Sequence, residues 1–221
     1  MDFPCPPDRR RRHAFSMAEL LIIVFLVALI AGLLLPALAK SKSKAQRIQC
    51  VNNLKQVGLA YRIWGGDNED KYPMQVSTNK GGSLEYVTEG NAFRHFQCLS
   101  NELVTPKILA CPADDEKKPA TTFRHLRDAN VSYFVGIDAE DTMSGRFLSG
   151  DRNLTVNGTE LEPGLVSVKS SDRLGWTSAM HQNAGNIGFA DGSVMTLTGG
   201  SAQLQQKLRN TGTNVNVLAV P

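Results

Sequence analysis

Residues 15–35 (FSMAELLIIVFLVALIAGLLL) carry polar side chains only at Ser16 and Glu19. The run is continuous rather than periodic, so no face of a helix built from it would suit water. At about 1.5 Å per residue it reaches roughly 31 Å, the depth of a bilayer's hydrocarbon core. An ionised Glu19 at that depth costs a few kcal/mol unless a cation pairs with it. After Pro36 the pattern becomes periodic: Leu38, Ile48, Val51, Leu54, Val57, Tyr61 and Trp64 recur mostly at three- and four-residue steps, with Lys40, Lys44, Arg47, Gln49, Asn53 and Lys55 on other faces. This predicts an amphipathic helix with a stripe to bury against a sheet, stopped by Gly65-Gly66. Residues 15–64 can thus form one long helix, kinked at Pro36.

Downstream the chain is too polar, and too often broken by Gly and Pro, for a second span, and it reads as α+β. Residues 67–74 are a polar loop. Residues 92–103 predict a short helix, with Phe93, Phe96 and Leu99 at helical steps. Residues 107–111 and 131–137 are short β-branched or aromatic runs and predict strands. Residues 186–190 and 193–197, separated by Asp191-Gly192, predict a hairpin with a type I′ turn. Residues 201–209 predict a closing helix with Ser201 as N-cap. Residues 210–221 predict a loose tail or an edge strand.

Four arginines, Arg9–Arg12, stand before the apolar run. Against Asp2 and Asp8 they give residues 1–14 a charge of +2 and leave +1 of the total +3 for the rest, too little for a nucleic-acid footprint. Lys40, Lys42, Lys44 and Arg47 follow the other end of the run, so the positive-inside rule discriminates weakly. The density of the arginine cluster argues for an N-terminus inside. The run is longer than the apolar region of a signal peptide, and the cleavage signal at Leu35-Pro36-Ala37-Leu38-Ala39 is only fair, so a retained anchor is expected. No pair among Cys5, Cys50, Cys98 and Cys111 has C-x-x-C spacing, which argues against a zinc site. Outside the cytoplasm, one disulfide and one free thiol are expected of Cys50, Cys98 and Cys111. Cys98–Cys111 closes the shorter loop, Cys50–Cys111 ties the stem to the body, and the sequence leaves the choice open.

Phe15-Ser16-Met17-Ala18-Glu19-Leu20-Leu21 behind a short basic leader resembles the processing and methylation segment of type IV prepilins and type II secretion pseudopilins. His181, nine residues and then Asp191-Gly192 (HQNAGNIGFADGSV) resembles the H-X9-DG motif of prepilin-like proteins common in planctomycetes and verrucomicrobia. Residues 50–60 (CVNNLKQVGLA) are similar to that group's post-membrane helix. The resemblance implies a type IV pilin-like α+β fold: a 1–14 leader, a 15–36 membrane half-helix, a 37–66 amphipathic half-helix and a 67–221 head. It implies cleavage between Ala14 and Phe15 by a membrane prepilin peptidase, and methylation of the Phe15 amine. The residue before the cut, usually Gly in that family, is here Ala14. Pro36 falls where many such helices carry a proline.

Under that reading Glu19 is an assembly residue. The freed Phe15 amine of a neighbouring copy neutralises it when helices stagger axially, removing a desolvation penalty of roughly 2–4 kcal/mol. The expected function is a structural subunit of a type II secretion pseudopilus or a type IV pilus-like filament, performing no catalysis. It sits in the inner membrane with its head periplasmic or extracellular, and its partners are the peptidase and other pilin subunits. The rival reading is a monomeric membrane-anchored periplasmic binding domain. His181 and Asp191 invite an enzymatic reading, but without a nucleophile or third partner a structural role is expected. No cofactor is expected. Asp67, Glu69 and Asp70, and Asp114, Asp115 and Glu116, are the candidate calcium ligands that resemblance to some major pseudopilins suggests, though neither group has EF-hand spacing. Asn130, Asn153 and Asn157 begin glycosylation sequons that carry little weight in a bacterial-looking chain.

Overall fold

A computed structural model describes residues 17–221. Its contacts divide the chain after residue 42, setting the apolar start apart from a unit of residues 43–221.

Helix α1 (Met17–Gly66) runs unbroken for 50 residues with Pro36 inside it. It contains an 18-residue window of mean hydropathy 3.0, none of it buried within the protein, so it is long and apolar enough to cross a membrane. Beyond residue 43 its burial follows helical steps: Cys50, Asn53, Leu54, Val57, Ala60, Tyr61 and Trp64 are buried. Two members of the expected stripe drop out, because Leu38 and Ile48 are exposed. Ile48 lies two residues from Cys50, about 200° around the helix, so both cannot face one core.

After three 3₁₀ turns (Pro73–Gln75, Thr78–Lys80 and Leu84–Tyr86), α2 (Ala92–Gln97) and α3 (Ser100–Leu103) divide the helix expected over 92–103 into two. The strands are β1 (Tyr133–Gly136), β2 (Phe147–Asp151), β3 (Leu154–Val156), β4 (Thr159–Glu160), β5 (Gly164–Lys169), β6 (Leu174–Trp176), β7 (Ala184–Phe189), β8 (Val194–Thr198) and β9 (Val215–Val220). Helix α4 (Ala202–Arg209) precedes β9, and the Ser201 hydroxyl accepts from the Leu204 N–H at 3.2 Å, as its predicted capping role requires. Every pairing is antiparallel, in a six-stranded sheet ordered β5-β9-β1-β2-β7-β8 and a three-stranded sheet ordered β4-β3-β6. The architecture is therefore α+β.

The inner strands β1, β2 and β7 of the larger sheet are buried on both faces. On one, Tyr133, Val135, Leu148 and Ala219 pack with Leu54, Val57, Tyr61 and Trp64 of α1. On the other, Phe134, Phe147, Ile187 and Leu218 pack with Leu204 and Leu208 of α4 and with Leu154, Leu174 and Trp176 of the smaller sheet. Successive residues of β1 alternate between the two clusters, as the pleat demands.

Three expectations need correction. Residues 107–111 do not form a strand; Pro106–Leu109 is a 3₁₀ turn. Pro106 sets φ at its start, and the Thr105 hydroxyl accepts from the Lys107 N–H at 3.4 Å. Residues 215–220 are neither tail nor edge, because β9 sits inside the sheet between β5 and β1. The Asp191-Gly192 hairpin exists, but its turn is not type I′. Gly192 has φ +80° while Asp191 is not left-handed, and a type I′ turn needs positive φ at both central residues. The Phe189 N–H donates to the Ser193 carbonyl at 2.8 Å, and the Gly192 N–H to the Phe189 carbonyl at 2.9 Å. That is a three-residue loop closed by a left-handed glycine.

Candidate functional site

Two places carry chemistry: the apolar part of α1, and a buried cluster beneath its second half.

In the first, Glu19 lies in the first turn of α1 among apolar residues left exposed among the described residues; Leu20 is 52% exposed, Phe25 66% and Leu33 73%. Pro36 sits inside the same helix. Ala14 and Phe15, the expected cleavage and methylation positions, lie outside the described residues.

The second is assembled from four separate elements. Cys50 projects from α1 into the core and is bridged to Cys111, just past the 3₁₀ turn, with Cα atoms 5.4 Å apart. Of the two pairings the sequence left open, the structure has the one that joins stem to body, and Cys98 is free. Its thiol donates to the Gly82 carbonyl at 3.3 Å, and burial pushes it above its ordinary pKa. Asp151 ends β2, and His181 stands in the turn before β7; both are buried. His181 Nε2 lies 3.4 Å from Cys111 Sγ and 3.5 Å from Asp151 Oδ2. The donor atoms of Cys50, Cys111, Asp151 and His181 all fall within 4.8 Å of one another.

Neighbouring groups hold this arrangement. The Asn186 N–H and side-chain amide both donate to Asp151 Oδ2, at 2.8 and 2.9 Å. Asp151 Oδ1 is buried without a partner. Arg47, about one helical turn before Cys50, donates to the His181 carbonyl. Gln182 and Asn183 follow His181 with φ +55° and +61°, two consecutive left-handed non-glycine residues that turn the chain into β7. Burial pushes Asp151 up to about 7, against the lowering effect of Asn186. Burial, reinforced by the Arg47 charge, pushes His181 down to about 4, so its ring is neutral at neutral pH.

His181 and Asp191, joined in one sequence motif, are not partners. His181 faces the disulfide and Asp151, whereas Asp191 Oδ1 accepts from the Ser193 N–H at 2.8 Å and shapes the hairpin loop. The loop rests on α1: a Cβ added to Gly58 would stand 3.2 Å from Gly192 Cα. Tyr72 Oη donates to the Ala190 carbonyl at 2.6 Å, and Arg62 to that of Asp191 at 3.4 Å. The motif thus ties two points of the head to α1, through the His181 carbonyl on Arg47 and through the loop on Gly58.

Three of the six candidate calcium ligands, Glu69, Asp114 and Glu116, have basic partners. Arg152 donates to Asp114 at 2.8 and 3.0 Å and to Glu116 at 2.6 Å, and Lys71 donates to Glu69 at 2.7 Å. Burial acts to raise Asp114, but the Arg152 guanidinium outweighs it and holds the carboxyl below its ordinary range. Asn153 of the second sequon is fully buried and donates to the Thr177 carbonyl at 3.0 Å.

Sequence reasoning missed Asp151, Asn186 and Arg47. The only local trace of Asp151 is an acid closing the short apolar run Phe147-Leu148-Ser149-Gly150. Comparison with known proteins adds nothing further: no family model, no curated protein and no solved structure matches this chain.

Proposed function

We propose that the chain is a prepilin-like structural subunit. It is anchored in the inner membrane by the apolar half of α1, with its N-terminus cytoplasmic and its α+β head outside. One observation carries the reading: a single helix leaves a bilayer's depth of apolar surface uncovered around Glu19, then continues without a break into the core of the head. Cleavage before Phe15 by a prepilin peptidase would place an amine about one turn from Glu19. Staggered copies then pair amine with carboxylate, so that assembly relieves the cost of the intramembrane acid. The destination is a type II secretion pseudopilus or a type IV pilus-like filament, and the chain itself catalyses nothing.

The test is the mass of the mature N-terminus of protein taken from its native membrane. An N-methylated chain starting at Phe15 is the expected result. A chain that still starts at Met1 and disperses as single copies overturns the proposal and favours a monomeric anchored domain.

A further inference from the structure

A disulfide that only pins a helix to a sheet needs no histidine and no carboxylate beside it. Here both are buried against the sulfurs, and their spacing is informative. A tetrahedral ion with metal–sulfur bonds of about 2.3 Å and metal–nitrogen or metal–oxygen bonds of about 2.0–2.2 Å has nitrogen–sulfur and nitrogen–oxygen edges of roughly 3.3–3.6 Å. His181 Nε2 stands 3.4 Å from Cys111 Sγ and 3.5 Å from Asp151 Oδ2, so both separations match such edges. The second is also long for an N–H···O hydrogen bond. The carboxylate has capacity to spare, since Oδ1 of the fully buried Asp151 has no partner.

The surroundings suit a cation as well. Asn186 fixes the carboxylate through two hydrogen bonds, as outer-shell groups do for metal ligands. Two thiolates and one carboxylate around a divalent ion leave a net charge of −1, and Arg47, bonded to the His181 carbonyl, offsets it. A cleft of about 480 Å³ lined by Asn53, Ile108, Cys111, Pro112 and Asp114 offers an approach from the surface.

We propose that the Cys50–Cys111 bridge is the oxidised form of a divalent-metal site whose ligands are Cys50, Cys111, His181 and Asp151. A dithiol reductant transfers two electrons and two protons to the S–S bond, becoming a disulfide itself and leaving two cysteine thiols. A zinc-class ion then displaces the two thiol protons and is held by both sulfurs, His181 Nε2 and the Asp151 carboxylate. In either state the stem of α1 stays tied to the head, covalently under oxidising conditions and through the ion under reducing ones. The inference stands apart from filament assembly and can be tested without it.

The probe is cobalt(II), offered to the purified, untagged full chain after reduction with a dithiol under argon. The expected result is one cobalt per chain, with the absorption of tetrahedral thiolate coordination, displaced by zinc; the oxidised chain should take up none. His181→Ala and Asp151→Asn should each weaken binding at least about tenfold. The wild-type spectrum decides even where a variant fails to fold. A reduced wild-type chain that takes up no cobalt, or binds it only with the weak spectrum of octahedral oxygen ligands, overturns the proposal. So does unchanged binding by a folded His181→Ala chain.

Discussion

Gly58 on α1 and Gly192 at the β7–β8 loop meet so closely that a Cβ on the first would lie 3.2 Å from the Cα of the second. Two residues without side chains let the hairpin tip sit on the helix backbone. Gly58→Val should therefore cost roughly 1–3 kcal/mol by overpacking. Gly58→Ala should change stability by less than about 1 kcal/mol, because alanine's helix propensity offsets the squeeze. Gly192→Ala has a different cause, its φ of +80°, and should cost about 1–2 kcal/mol. Urea denaturation of the three variants checks all of these.

The Cys50–Cys111 bridge spans 61 residues of chain, and a loop of that length restricts the unfolded state enough to supply roughly 4 kcal/mol. Cys50→Ser should lose about that much in denaturation measured with a chelator present. Cys98→Ser, which removes only a thiol donor to the Gly82 carbonyl, should lose less than about 1 kcal/mol.

His95 is fully buried with Nδ1 at 2.8 Å from Ser83 Oγ, and burial pushes its pKa from 6.5 down to about 4. The unfolded chain therefore binds a proton in that interval and the folded chain does not, so stability falls as pH drops from 6.5 towards 4. The loss should approach about 3 kcal/mol at the lower end, at roughly 1.4 kcal/mol per pH unit. His95→Gln should remove this contribution and leave that of His181, which burial likewise pushes from 6.5 down to about 4. An unchanged slope would assign the proton uptake elsewhere.

Glu19→Leu should insert into membranes as the parent chain does, since it removes the only acid from the apolar run. Under the proposed assembly it should fail to enter filaments, because nothing then rewards one axial stagger over another. Membrane fractionation and sedimentation of sheared filaments separate the two effects, and normal incorporation of the Leu variant would sink the pairing.

What could be read in advance was local. Residues 15–35 announce an apolar helix by composition, Ser201 announces α4 by its hydroxyl, and Asp191-Gly192 announces a hairpin by the φ that glycine tolerates. The misjudgements share a cause too. The run at 107–111 has strand composition, yet Pro106 and Thr105 wind it into a 3₁₀ turn. The β9 residues look like a tail because a strand's place in a sheet depends on partners far away, here β5 and β1. The turn at Asp191 takes three residues rather than two, with only its glycine left-handed, a choice that residue composition alone does not fix.

Taken alone, then, the order of residues determined the membrane-length helix, the acid within it and the α+β character of the rest, because each depends on neighbours a few positions apart. Tertiary structure decided which cysteine Cys111 joins, that His181 faces Asp151 and not Asp191, and that β9 is central. Those outcomes depend on which distant segments reach the same side of the sheet. Cys50, Cys111, Asp151 and His181 come from a helix, a turn, a strand end and a loop, and only packing brings their donor atoms within 4.8 Å.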